Sequence, residues 1–123
     1  MTHLNNQYQK CIDACNECAQ SCLTCATTNI RPNEHENHNH GHKQVNMDMS
    51  KCILLCLDCA EMCKLAVSTM SRNSENAKLI CTLCAKICDI CAVECESHTD
   101  MEHCLECGEI CRRCSEECKK MIA

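Results

Sequence analysis

The chain has 123 residues and a formal net charge of −5. That size suits one domain, and the interleaved acidic and basic residues exclude the basic footprint of a nucleic-acid binder. Nineteen residues are Cys, Phe and Trp are absent, and Tyr8 is the one aromatic, so a conventional core of large apolar side chains is excluded.

Residues 1–10 are polar and lack the apolar segment of a secretory signal. No stretch approaches the ~20 apolar residues that span a membrane. The expected location is cytoplasmic, where Cys-rich chains bind metals more often than they form disulfides. Two Gly and one Pro are too few for a turn-rich disulfide scaffold or a β-rich fold.

In chain order, the first predicted helix covers about residues 3–30 and carries Cys11, Cys15, Cys18, Cys22 and Cys25. Pro32 ends it, and a polar His-rich loop occupies 31–45. The second covers about 46–70, with Cys52, Cys56, Cys59 and Cys63. Ser71 to Ser74 form a short turn, with Ser74 as an N-cap. The third covers about 75–96, with Cys81, Cys84, Cys88, Cys91 and Cys95. Thr99 to Glu102 match a capping box that opens the fourth, about 100–121, with Cys104, Cys107, Cys111, Cys114 and Cys118.

Within every cluster the spacing alternates between four and three. That is the seam of a heptad, which a helix turns toward its partners; strands repeat every two residues. The fold class is therefore all-α: one domain over 1–123, an antiparallel up-down-up-down four-helix bundle with a Cys-lined core. Beside the seam, the second and third helices carry Ile53, Leu54, Leu57, Leu65, Leu79, Ile80, Leu83, Ile87 and Ile90. These either flank the seam or form an oligomer interface.

Residues i and i+4 on a helix have Cβ atoms ~5–6 Å apart, and a two-coordinate Cu(I) needs sulfurs roughly 4–5 Å apart, within reach of rotamer adjustment. CxxxC on a helix is thus a bis-thiolate site. The non-overlapping pairs are Cys11/Cys15, Cys18/Cys22, Cys52/Cys56, Cys59/Cys63, Cys84/Cys88, Cys91/Cys95, Cys107/Cys111 and Cys114/Cys118. Cys25, Cys81 and Cys104 remain to bridge between helices.

Charge selects the metal. Packing many thiolates together is prohibitive without compensation, and a monovalent ion at about one per Cys, on the order of 20 per chain, leaves the core near neutral. Zinc, with four ligands each, would fill the same sulfurs with about four or five ions and leave net negative charge. Zinc or general soft-metal buffering is the first alternative, and a disulfide-stabilised helical structural or interaction protein the second. Cys as a mere small hydrophobe does not account for nineteen at seam positions.

Up-down topology gives the bundle two unlike ends. Leu4, Tyr8, Met70, Ala77 and Met121 form an apolar plug at one. Met47, Met49, His98, Met101 and His103 mark the other as the candidate mouth for metal, with His35, His38, His40 and His42 on the loop above. Thioether and imidazole hold Cu(I) more weakly than thiolate, which suits capture and hand-off.

The segments CIDACNECAQSCLTC, CILLCLDCAEMC, CTLCAKICDICAVEC and CLECGEICRRCSEEC, which cover all four predicted helices, resemble the copper storage protein family, in its cytosolic branch. The resemblance implies a homotetramer of bundles holding many Cu(I) ions on thiolates inside each bundle, for protection against copper toxicity and supply to copper enzymes. A copper chaperone is the partner this implies; neither nucleic acid nor membrane is. No nucleophile–base pair, phosphate-binding loop or open catalytic metal site is present in the pattern, so the expected role is not enzymatic. The long His-rich loop departs from the minimal family pattern.

Overall fold

The structure, a computed structural model, describes residues 6–31 and 49–122. Among the described residues there are four helices, α1 (Asn6–Ile30), α2 (Ser50–Ser71), α3 (Ala77–Glu96) and α4 (Glu102–Ile122), and no strand. Residues 3–5 and 46–48, Met47, and His35, His38, His40 and His42 lie outside the described residues. Helices α1 and α3 each pack against both α2 and α4, the closed ring of an up-down-up-down bundle.

The α2–α3 connection is built from its own sequence. Asn73 adopts φ 54°, the left-handed conformation that Asn tolerates better than most residues. Its N–H donates to the Met70 carbonyl at 3.1 Å and that of Ser74 to the Thr69 carbonyl at 2.9 Å, a Schellman closure of α2. Ser74 Oγ accepts from the Asn76 N–H at 3.0 Å, so Ser74 caps the turn that leads into α3.

The α3–α4 connection departs from the expected capping box. The helix begins at Glu102, and the Met101 carbonyl accepts from the Cys104 and Leu105 N–H groups at 3.0 and 3.1 Å. Met101, not Thr99, holds the cap position. Its side chain, partly buried, packs against the core from there.

Backbones approach most closely along α1/α2 and α3/α4, where small residues recur every seven positions. Ala19 and Ala26 on α1, Ala60 on α2, Ala85 and Ala92 on α3, and Gly108 and Ser115 on α4 are all buried. A Cβ on Gly108 would lie 3.5 Å from Cys95 Cβ and 3.6 Å from the Ala92 carbonyl oxygen. Outside this contact Arg112 holds Glu96 through two N–H···O bonds of 2.9 and 3.0 Å and sits 3.5 Å from Asp89, which Lys119 reaches at 3.2 Å.

The aliphatic strip on α2 and α3 divides. Ile53, Ile80 and Ile87 pack against the core, whereas Leu54, Leu57, Leu65, Leu79, Leu83 and Ile90, together with Val93, are exposed.

Candidate metal centre

All nineteen cysteines are buried and free. They occupy the wider gaps of the bundle, between α1 and α4 and between α2 and α3, where the small-residue contacts leave room. Across α1/α4 the sulfurs interdigitate: Cys118 meets Cys11 at 3.6 Å and Cys15 at 3.8 Å, and Cys114 meets Cys15 at 3.6 Å. The zigzag continues with Cys111 at 3.7 Å from both Cys18 and Cys22, Cys107 at 3.8 Å from Cys22, and Cys104 at 3.9 Å from Cys25.

A second zigzag crosses α2/α3. Cys95 stands 4.0 Å from Cys52 and 3.8 Å from Cys56, and Cys91 3.8 Å from Cys56. Cys88 lies 3.7 Å from Cys59 and 3.9 Å from Cys63, and Cys84 3.8 Å from Cys63. Cys18–Cys59 at 3.8 Å and Cys63–Cys114 at 3.9 Å join the two. Cys81 faces Cys11 and Cys118. The result is one continuous column of sulfur.

The CxxxC neighbours stand in the same column, Cys84 and Cys88 with their sulfurs 3.9 Å apart. Cys11/Cys15, Cys18/Cys22, Cys52/Cys56 and Cys59/Cys63 fall inside groups whose sulfurs all lie within 4.8 Å. Seam side chains point to the bundle axis and mesh with those of the facing helix, so each CxxxC pair is also part of a cross-helix cluster. Four such clusters are Cys15/Cys63/Cys84/Cys114, Cys18/Cys59/Cys63/Cys88, Cys18/Cys22/Cys59/Cys111 and Cys25/Cys52/Cys56/Cys95. Cys18, Cys59 and Cys63 each belong to two of them. Nearest sulfurs at 3.6 Å are far from the ~2.05 Å of a disulfide.

Proton affinity follows the contacts. Cys22 is pushed up by its bonds to Cys107 and Cys111, and Cys63 by those to Cys114 and Cys15, with burial adding to both. Cys18 is held low by Cys111 and Cys114, and Cys107 by Cys111 and Cys22.

The ends of the column are unlike. Tyr8, Met70 and Ala77 are buried at one, with Met121 partly buried beside them. At the other, Met49 is buried and Met101 packs on the core. His98 Nε2 lies 2.9 Å from Glu94 Oε2. His103 Nε2 lies 2.7 Å from Oδ1 of Asn29, whose Nδ2 donates to the sulfurs of Cys25 and Cys52 at 3.7 Å and of Cys104 at 3.9 Å. With the Asn29 amide committed to sulfur, its oxygen accepts from His103, which fixes the tautomer of that ring.

Asn29 is the site residue that sequence reading passed over. Its signal was the seam itself, since 25 plus four is 29 and the alternation after Cys25 lands on a buried polar side chain.

A closed helical bundle with a continuous column of free thiols along its axis defines a thiol-cored helical protein. The family model described as copper storage protein matches residues 4–123. An uncharacterised cysteine-rich protein of Bacillus subtilis strain 168 is 38% identical over 102 residues, 82% of this chain and 83% of that one. The Cu(I)-bound copper storage protein BsCsp3 of Bacillus subtilis is 37% identical, with a TM-score of 0.80 over 96% of this chain and 100% of that one. A cytosolic copper storage protein from Streptomyces lividans, in a structure of copper loading with five coppers, is 29% identical with a TM-score of 0.80 over 97% and 94% of the two chains. The chain belongs to the copper storage protein family.

Proposed function

We propose that this chain stores Cu(I) in the cytoplasm on the thiolates of its column, with all nineteen cysteines as ligands, and that it sequesters copper rather than catalysing a reaction. The observation that carries the reading is the sharing of Cys18, Cys59 and Cys63 between clusters. Ions that fill overlapping quartets must share bridging thiolates; a tetrahedral zinc thiolate with ~2.3 Å bonds fits any one quartet, its sulfurs ~3.8 Å apart, but divalent four-coordinate ions leave net thiolate charge. A bridging thiolate shared by monovalent ions fills the whole column. It also cancels the thiolate charge that a low-dielectric core does not tolerate.

Met49, Met101, His98 and His103 gather at one end and supply the weaker ligands suited to copper in transit, and Met47 is assigned to the same end. The exposed leucines of α2 and α3 are the surface on which copies of the bundle pair, with a homotetramer as the expected assembly. Leu54 and Leu79, 61% and 59% exposed, sit on neighbouring helices and would be covered there. A copper chaperone or a small thiol delivers the metal.

Anaerobic titration with Cu(I) against a competing chelator tests the storage reading. Saturation at about one ion per Cys, on the order of 20 per chain, is expected. Saturation at about four or five ions with zinc preferred would replace it with the zinc-buffer reading.

A further inference from the structure

The two terminal layers of the sulfur column are not equivalent. At the polar end all four helices contribute a thiol: Cys25 and Cys104 stand 3.9 Å apart, and Cys52 and Cys95 4.0 Å apart. At the apolar end three helices do. Cys11 and Cys118 meet at 3.6 Å, and Cys81 faces both, but α2 carries four cysteines where each other helix carries five. Its four-and-three alternation runs on from Cys63 to Ala66 and then to Met70, both of them 0% exposed. Ala66 thus stands where the fourth thiol of the layer belongs. Its methyl group offers Cys81 no sulfur across α2/α3, whereas Cys84, Cys88, Cys91 and Cys95 each have one within 4.0 Å.

Met70 is placed to make good that gap. Long side chains on a helix point back toward its N-terminus and lie over the residue four positions earlier, which for Met70 is Ala66. The backbone there is fixed, because the Met70 carbonyl accepts from the Asn73 N–H at 3.1 Å in the Schellman closure of α2. A thioether is a soft ligand without charge. At an end closed by Tyr8 and Ala77, 7% and 1% exposed, such a donor adds a bond to copper and no further buried charge.

From this register we infer that Met70 Sδ is a ligand of the last Cu(I) in the column, held together with thiolates of Cys11, Cys81 and Cys118. The inference rests on the storage reading and adds to it one ligand that is not cysteine and a reason why the column stops. Copper stays Cu(I); the thioether gives a lone pair and releases no proton. Met121, one seam step past Cys118 and partly buried, is the rival thioether at this end. A plug alone would be served equally by Leu, which has the bulk and lacks the sulfur.

The test uses the full chain with its methionines as selenomethionine, loaded with Cu(I) under anaerobic conditions, and X-ray absorption at the selenium edge. Met47→Leu, Met49→Leu and Met101→Leu together silence the thioethers assigned to the other end. A copper neighbour in the selenium coordination shell is expected in that background, and its loss is expected when Met70→Leu is added. Absence of the neighbour from the background overturns the inference and leaves Met70 a plug. A signal that Met70→Leu leaves unchanged overturns it in favour of Met121. If the triple background loses helical signal, Met70→Leu alone is compared with wild type: a lower selenium–copper coordination number is expected, and an equal one overturns the inference. A wild-type protein that fails to bind many Cu(I) ions defeats the storage reading instead, and does so in capacity, before any selenium signal is compared.

Discussion

The two ends of the sulfur column are built by the same rule and do opposite things. Each continues the four-and-three seam by one step. At one end that step lands on Tyr8, Ala66, Ala77 and Met121, with Met70 four residues beyond Ala66; at the other it lands on Asn29, Met49, His98 and Asp100, with Met101 beside the last. Both sets close the bundle, but the first offers soft-metal ligands only as the thioethers of Met70 and Met121, whereas the second adds imidazole and, in Asn29, an amide that donates to sulfur. The direction of the column is thus set by which side chain stands one step beyond the last cysteine, not by any change of fold.

The largest expected effect concerns the column between the ends. Cys22 and Cys63, raised by neighbouring thiols and burial, keep protons that the unfolded chain sheds near its ordinary thiol value, about pH 8.5. The unfolded state then binds fewer protons, so the contribution of these two thiols is full below about pH 8.5 and falls as pH rises above it. Thiols held low, such as Cys18, add nothing to that slope, because above their ordinary value both states have lost the proton. Each tenfold change in proton affinity is worth about 1.4 kcal/mol. Urea unfolding from pH 7 to 10 should therefore show several kcal/mol lost without copper, and little loss with the column loaded. A flat copper-free profile would contradict the raised proton affinity of these thiols.

Exchange of character between the ends comes next. Met70→Asn places an amide with no partner at the apolar end and should cost about 3 kcal/mol in urea unfolding, from lost burial and an unsatisfied polar group. Asn29→Leu at the polar end replaces a donor to weak sulfur acceptors with an apolar group of like size. Because His103 is only partly buried and can turn to solvent, about 1 kcal/mol or less is expected. Equal costs would mean that the ends are not chemically distinct.

The smallest effect lies outside the column. Arg112 is 45% exposed, so Arg112→Ala should cost under about 1 kcal/mol. Glu96, held low by its bond to Arg112, contributes above the ordinary carboxylate range, and its share vanishes as pH falls through the folded value. Thermal unfolding of Arg112→Ala and wild type should therefore begin to converge as pH falls below the ordinary carboxylate range and coincide once Glu96 and Asp89 are both protonated.

Much of this was legible in the sequence because period is a direct readout of facing. The alternation of Cys11 to Cys25 and its counterparts in the other clusters identified four helices, and the structure turns every one of those cysteines to the axis. Three features were less plain. The cross-helix zigzags depend on how antiparallel helices mesh, which no single helix encodes. The stripe of Ala19, Ala26, Ala85, Ala92 and Gly108 also repeats every seven residues, but small residues at such spacing read as surface until it is known which helix pairs approach closely. Asn29 was masked by chemistry: it occupies the next seam position but is not a thiol, thioether or imidazole. The capping box at Thr99 misplaced the start of the last helix, which begins at Glu102 with Met101 at the cap position.

The central claim is one shared lattice of sulfur along the bundle axis. Anomalous scattering at the copper edge, from crystals of the Cu(I)-loaded protein, tests it directly. A row of copper peaks down the axis is expected, each bonded to at least two of the nineteen cysteine sulfurs, with Cys18, Cys59 and Cys63 each bound to more than one ion. Peaks confined to the His and Met end, or isolated ions each holding a private set of four sulfurs, would contradict it.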